Sequence, residues 1–176
     1  MPAMQQFPSG AHRLLVSTAM LCAMHGANAG KDEGASFTVK MLTPETAMVA
    51  AQAAMQQCRN AGYQVSVAVV DRSGLLQVLL RDRFAGAHTV EFAGQKAWTS
   101  ASFKMATALL AQQTQAGMPM SGIRNNAHVM AAGGGQPIEA GGALLGAIGV
   151  SGAPGGDADD SCAQAGVRSI AEAIEF

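Results

Sequence analysis

The hydrophobic positions at the start of the domain repeat with helical spacing. Thr43 suits the N-cap of a helix, Pro44 its first position, and Gly62 a C-terminal stop. Between them, small and apolar residues recur every three or four positions, at Ala47, Met48, Ala51, Met55, Cys58 and Ala61. This pattern predicts an amphipathic helix with one buried face between Thr43 and Gly62.

The pattern then changes to short runs of β-branched and aliphatic residues. Residues 64–71 alternate at their start, and residues 75–81 form a second apolar run after the turn sequence Arg72-Ser73-Gly74. Two strands joined by so short a turn pair antiparallel. We expect Asp71 and Arg81 to be structural residues that close this hairpin. A helix followed by a hairpin indicates an α/β fold of the α+β type.

Helical spacing returns in the middle of the chain. It predicts a helix over residues 90–103 and a shorter one over residues 107–115. Residues 122–128 are read as a connector. The helix over 90–103 follows a polar loop, residues 82–89, so that His88 is expected in a loop.

Close to half of the chain's 21 glycines stand in one stretch, residues 133–156. Residues 136–139 and 143–150 are strand-like and flank Ala140-Gly141-Gly142, which predicts a second hairpin because glycine reaches positive φ at no steric cost. The stretch then opens onto a helix start, where unpaired backbone N–H groups can hold an anion. The alternative is a tight hairpin whose glycines serve packing alone.

The last helix is predicted to begin at an Asp157 cap, with Asp159 and Asp160 in its first turn. Its buried stripe includes Cys162, and the first helix carries Cys58 on its apolar side. If these two helices pack together on one face of the sheet, the cysteines lie at the same level and can form a disulfide. The alternative is two buried free thiols.

The first 29 residues have the pattern of an export signal. A short n-region with His12 and Arg13 precedes an apolar run over residues 14–24, and Ala27-Asn28-Ala29 places small residues at a cleavage site. The run is too short for a permanent bilayer span. The sequence therefore predicts a signal peptide over residues 1–29, with a periplasmic or secreted product. A buried N-terminal helix is the alternative.

After the signal peptide, residues 30–41 are predicted to be a flexible leader and residues 42–176 the folded domain, with no transmembrane segment. Charged residues make up 13% of the chain and its formal net charge is −1, which argues against a nucleic-acid partner. Hydrophobic residues reach 49%, which argues against disorder. The low charge and many small residues fit either burial between subunits or a compact monomer.

Three segments together resemble the GlcG/HbpS family, also called the haem-degrading domain family. They are VAVVDRSGLLQVLLR, AGAHTVEFAGQKAWTSASF and GGGQPIEAGGALLGAIGVSGAPGGDADDSCAQAG, and the resemblance covers residues 42–175. It implies a single antiparallel sheet of about five strands with helices on both faces, in a profilin-like or PAS-like arrangement. It also implies haem as a cofactor and homo-oligomers up to octamers. Family members include secreted haem-binding proteins, a protein encoded with glycolate-utilisation enzymes, and the C-terminal domain of some corrinoid adenosyltransferases.

Haem iron takes an axial donor that is usually His, with Met, Cys or Tyr as alternatives. Beyond residue 29 the chain offers two histidines, His88 and His128, besides methionines, two cysteines and Tyr63. We prefer His88 as the ligand, although a loop histidine is often only solvated. His128 precedes the glycine stretch and is the second candidate; its alternative is a satisfied histidine at a helix end. Without a Cys-x-x-Cys-His motif, haem would be held without thioether links.

Lys96 and the glycines Gly133, Gly134 and Gly135 complete the predicted binding site. Lys96 is placed to meet a propionate or a small carboxylate as a point charge. Its alternative is a surface lysine whose ammonium reaches the solvent. The chain shows no zinc pattern and no G-x-S-x-G elbow, so the residues favour binding over catalysis.

Three functions follow from these patterns. The first is an exported haem-binding protein that stores, senses or transfers haem. The second is an enzyme or accessory protein that acts on a small hydroxy or keto acid, with the glycine-rich amides holding its carboxylate. The third is a structural oligomeric module. The resemblance and the export signal favour the first.

Overall fold

The computed structural model describes residues 34–175, and residues from Thr38 onward form one compact unit. The predicted signal peptide lies outside the described residues. The helices and strands of the described residues are α1 (Pro44–Asn60), β1 (Ser66–Asp71), β2 (Leu76–Arg81), α2 (His88–Phe103), α3 (Thr107–Gln113), β3 (Gly135–Ala140), β4 (Ala143–Ser151), α4 (Gly156–Ser169) and α5 (Ala171–Ile174), with a 3-10 turn at Ser121–Asn125.

The four strands form one antiparallel sheet in the order β2-β1-β4-β3. The α+β fold with a single antiparallel sheet is confirmed, but the expected number of about five strands is too high. The described segment between α3 and β3 forms the 3-10 turn and irregular loops instead of a further strand. The glycine hairpin is present, and Gly141 and Gly142 both take positive φ at its turn (56° and 76°).

Every residue of β1 is buried, because this strand lies between β2 and β4 and helices cover both faces of the sheet. Val67 and Val69 belong to the core on one face, and Ala68 and Val70 to the core on the other. Strand residues alternate between faces, so the two cores interleave along the same strand.

On the first face, α1 and α4 pack against the sheet and against each other. Their contact is close: a Cβ added at Gly166 would lie 2.7 Å from the Ala50 carbonyl oxygen, so glycine is needed there. The Cys58 and Cys162 sulfurs are bonded at 2.07 Å, with Cα atoms 5.5 Å apart. Of the two alternatives for these cysteines, the disulfide is therefore the one present, and it joins α1 to α4.

On the second face, α2 lies across β4 and β1 on a core made mostly of alanine: Ala68, Ala93, Ala97, Ala101, Ala147 and Val70. A Cβ added at Gly149 of β4 would clash with the Ala93 carbonyl oxygen and lie 2.5 Å from the Ala97 nitrogen. The helix backbone therefore sits directly on the strand.

Two helix starts differ from the sequence prediction. The helix predicted from residue 90 begins at His88, which places this histidine in the first turn instead of a loop. The last helix has Gly155 as its N-cap, and Asp157 lies in the first turn without capping it. Glycine is accepted at an N-cap, and the acidic first turn still complements the helix dipole.

The Thr43 cap is confirmed, since its Oγ1 accepts from the Thr46 nitrogen at 3.2 Å. The first hairpin is also as expected, because Asp71 Oδ1 accepts from the nitrogens of Ser73 and Leu75.

Within the described part of the chain, no helix is both long enough and apolar enough to cross a bilayer.

Candidate functional site

A cavity of about 590 Å³ opens where the first turns of α2 and α4 meet the end of β4. Its volume lies in the range of small-molecule sites. It is lined by residues of five segments: Gly62 to Gln64, Phe84 and Gly86, the α2 residues His88, Thr89, Phe92 and Lys96, Met130 and Ala132, and residues 151–156 with Asp159. Two predicted site residues, His88 and Lys96, therefore lie at one cavity.

Lys96 is buried, with only 4% of its surface exposed, so the surface-lysine alternative is wrong. Its Nζ donates to Asp159 Oδ2 at 2.7 Å and to the Val150 carbonyl oxygen at 2.9 Å. Because α2 sits so closely on β4, the ammonium reaches the end of that strand. The ion pair joins the helices on the two faces of the sheet.

Asp159 is fixed on both oxygens, because Oδ1 accepts from the Ala153 nitrogen at 2.9 Å while Oδ2 accepts from Lys96. Burial raises the pKa of Asp159 above its ordinary value, and the hydrogen bond and charge of Lys96 oppose that rise. Its neighbour Asp160 faces a different set of donors: Oδ1 accepts from the Gly134 nitrogen at 3.1 Å and from Gln136 Nε2 at 2.7 Å.

The predicted glycines stand behind the ion pair. A Cβ added at Gly134, whose φ is +116°, would lie 2.9 Å from Lys96 Nζ and 2.8 Å from Asp159 Cβ. A Cβ at Gly133 would meet the Gly156 carbonyl oxygen at 2.8 Å, and one at Gly135 the Lys96 carbonyl oxygen at 2.6 Å.

The amide nitrogens of Gly134 and Gly135 already donate within the protein, to Asp160 Oδ1 and to Thr107 Oγ1 at 2.8 Å. Close packing therefore accounts for these glycines in the structure. Their role in holding a cofactor stays a prediction.

His88 stands at the mouth of the cavity, in the first turn of α2. That turn is tied to the sheet because Thr89 Oγ1 donates to the Gly86 carbonyl oxygen and lies 2.7 Å from Ser66 Oγ at the start of β1. The imidazole meets Phe92 edge-on, with ring centroids 5.4 Å apart. Within residues 34–175 neither ring nitrogen makes a hydrogen bond, so a nitrogen lone pair is available to a ligand.

His128 is not among the residues that line the cavity. Its exposed imidazole packs edge-on against Trp98, with ring centroids 4.4 Å apart, and its backbone nitrogen donates to Asn126 Oδ1. The structure thus places the two histidines in different surroundings. Ligation by either one stays a prediction.

Sequence reasoning missed Asp159 as a partner of Lys96, because the two residues are 63 positions apart and lie on different helices. It also passed over Phe84, an exposed ring on the cavity lining. The sequence did contain one signal for Asp159. Asp157, Asp159 and Asp160 stand within four positions, which is more acidic residues than a helix N-terminus needs to complement its dipole.

A family model described as "Haem degrading protein HbpS-like" matches residues 42–168. The chain belongs to this HbpS-like family. A search of the curated proteins gives no significant match.

Solved structures agree with the family assignment. A double mutant of HbpS from Streptomyces reticuli is 32% identical, with a TM-score of 0.73 over 92% of this chain and 97% of that one. A second HbpS structure is 38% identical, with a TM-score of 0.72 over 77% and 94% of the two chains. A PduOC:haem complex is 29% identical, with a TM-score of 0.70 over 74% and 95%. The fold expected from the resemblance is therefore the fold of the HbpS-like proteins.

Proposed function

We propose that this protein is an exported haem-binding protein that stores, senses or transfers haem. The observation that carries the proposal is the cavity at the first turns of α2 and α4, with His88 at its mouth. The HbpS-like family is described as haem-degrading, and one solved relative is a complex with haem, which supports the same ligand class.

The residues at the cavity fit a porphyrin. Phe84 is 80% exposed and Phe92 is 37% exposed, so two aromatic rings near His88 offer apolar surface to a flat macrocycle. His88 supplies an imidazole nitrogen of the kind that holds haem iron. In this proposal His88 is the axial ligand and His128 is the second choice. The bound haem would supply iron and tetrapyrrole chemistry, while the chain binds and orients it.

Export is supported by two independent features of the chain. Residues 1–29 have a signal-peptide pattern, and the Cys58–Cys162 disulfide is of the kind that persists in oxidising compartments. We therefore place the protein in the periplasm or outside the cell. Intact-mass measurement of protein recovered from the periplasm tests this, and a mass that retains residues 1–29 would contradict it.

Homo-oligomerisation is also part of the proposal. Strand β2 is an edge of the sheet, and it exposes Leu76 and Leu79 beside Leu75 in the preceding turn. An exposed apolar edge strand is normally covered by another chain. Light scattering of the purified protein should give a mass of several chains, up to eight, and a monomer would refute this part.

Titration with hemin, followed in the Soret region, tests the haem proposal. The wild-type protein should saturate at a fixed ratio of hemin to chain, and His88→Ala should change the spectrum while circular dichroism shows a retained fold. His128→Ala is the matched control and should keep the wild-type spectrum. The ligand assignment fails if only His128→Ala changes the spectrum, and haem binding fails if wild type shows no saturable Soret shift.

The second candidate function is that of an enzyme or accessory protein that acts on a small hydroxy or keto acid. The buried Lys96 ammonium at the cavity favours it, because carboxylates are natural partners of a desolvated cation.

A further inference from the structure

Lys96 is the only lysine or arginine among the described residues that line the cavity, and its side chain is 5% exposed. A buried ion pair is weak support for stability, because desolvation of both charges offsets their attraction. Apolar side chains of similar size would fill the same space at no loss. The burial of an ammonium beside a cavity therefore calls for a role in ligand contact.

The ammonium has three N–H protons, and the protein engages two of them, through Asp159 Oδ2 and the Val150 carbonyl oxygen. The third makes no hydrogen bond to residues 34–175. An acceptor brought by a ligand would complete the set. A carboxylate oxygen forms the strongest bond of this kind, because both partners are charged.

Asp159 and Gly134 hold the ammonium in place. Asp159 is itself fixed by the Ala153 nitrogen, so the direction of its bond to Lys96 is set by the start of α4. At Gly134, the absent Cβ leaves the space that Nζ occupies. Lys96 is thus preorganised and does not depend on the ligand for its orientation.

The surroundings of Lys96 carry partial and full charges of both signs. The first turns of α2 and α4 both line the cavity, and neither helix has a side-chain cap on its N-terminal amides. The partial positive charge of these helix ends is offset by Asp157 and Asp159 in α4 and by Glu91 in α2, so Lys96 supplies the full positive charge at the cavity.

We propose that Lys96 is the residue that anchors a ligand carboxylate in this cavity, and that Asp159 is the residue that positions it. This inference deepens the proposed function and rests on it for one source of the carboxylate, a haem propionate. The other source is a small free carboxylic acid. Both present the same group to Lys96.

Binding measurements with hemin and with hemin dimethyl ester test the proposal. The ester keeps the macrocycle and iron but has no carboxylate, so wild type should bind it about tenfold or more weakly than hemin, the loss expected for one charge-assisted bond. Pyruvate and acetate, titrated calorimetrically, probe the second source.

The key variant is Lys96→Met with Asp159→Asn, since removing both charges leaves no unpaired ion in the interior. It should bind hemin and its ester equally, and it should not bind pyruvate. Lys104→Met is the matched control, because Lys104 is exposed at the C-terminal end of the same helix. It should behave as wild type.

The outcomes separate the two proposals. If hemin and its ester bind wild type equally and neither acid binds, the carboxylate anchor is wrong while haem binding stands. If pyruvate or acetate binds through Lys96 but hemin does not bind at all, haem binding is wrong and the anchor stands with a free acid as its ligand. If nothing binds, both proposals fail. If the variant with both Lys96→Met and Asp159→Asn still binds hemin more tightly than hemin dimethyl ester, the role of Lys96 is also wrong.

Discussion

The face of the sheet under α1 and α4 is filled with aliphatic side chains and closed by a disulfide, whereas the face under α2 is built from alanine and glycine. The core of the first face includes branched side chains of the sheet such as Val67, Val69 and Ile148. Small residues on the second let the α2 backbone rest on Gly149 of β4. The first arrangement buries the larger apolar cluster, and the second brings the backbones of α2 and β4 into contact.

The close approach of α2 to β4 explains where the cavity lies. Because α2 sits low on the sheet, Lys96 reaches the Val150 carbonyl oxygen at the end of β4 and also Asp159 on α4. Helices on the two faces therefore meet at this end of the sheet. We infer that the α1–α4 face mainly supplies stability and the α2 face mainly supplies ligand contacts.

The largest expected effect comes from the disulfide. Cys58→Ala with Cys162→Ala should lower the free energy of unfolding by about 4.7 kcal/mol on the chain-entropy model, because the bond closes a loop with a sequence separation of 104 residues. Urea denaturation measures the loss. Hemin affinity of the folded variant should stay within about twofold of wild type. A large loss of affinity with little loss of stability would reverse the division between the faces.

Next is the buried ion pair. Lys96→Met leaves Asp159 buried without its cation and should cost about 3 kcal/mol at neutral pH. Burial already raises the pKa of Asp159, so the lone carboxyl should take up a proton as the pH falls and the variant should regain stability in acid. Thermal unfolding at several pH values checks this. Adding Asp159→Asn should restore stability at neutral pH, and an equally unstable double variant would argue against an unpaired charge.

The close contact of α2 with the sheet gives a third prediction. Gly149→Ala places a methyl group against the Ala93 carbonyl and should cost about 2 kcal/mol through overpacking. Gly94→Ala in α2 is the control, because a Cβ there meets no atom within 4 Å and should stabilise the helix slightly. Urea denaturation measures the free energy of unfolding of both variants. If both substitutions changed it equally, the close contact between the α2 and β4 backbones would not be what makes Gly149 necessary.

The smallest effect concerns acid stability on the α1 side. Arg59 donates to both oxygens of Asp82, and these hydrogen bonds lower the pKa of Asp82 to about 2. The unfolded value is about 3.9, so the folded state gains stability above that pH and loses it as the pH falls from about 4 to about 2. Asp82→Asn should flatten the stability profile over that window. An unchanged profile in an acid titration would show that the pair does not contribute.

Helix α1 and the second hairpin could be predicted from the sequence, because caps and turns depend on neighbouring residues. Thr43, Pro44 and Gly62 marked the bounds of α1, and the glycine turn marked the second hairpin. The residue pattern also predicted the four strands of the two hairpins, and the expectation of about five strands came from the family resemblance alone. The two cysteines on buried helix stripes left a disulfide and two free thiols as alternatives, and only the packing of α1 on α4 decides between them.

The candidate site was only partly predictable for the same reason. Lys96 and His88 were identified by residue type, but the burial of Lys96 depends on how closely α2 approaches β4. That approach is set by Gly149 of β4, a residue far from Lys96 in the sequence. The pairing with Asp159 needs both faces of the sheet in place.

Hydrogen–deuterium exchange with and without hemin tests most directly where the haem binds, and it works for an oligomer of any size. Hemin should protect residues 84–96 and 151–159, which line the cavity, and leave residues 121–128 unchanged. Protection confined to residues 121–128 and the neighbourhood of Trp98 would place the haem at His128 instead and contradict the account.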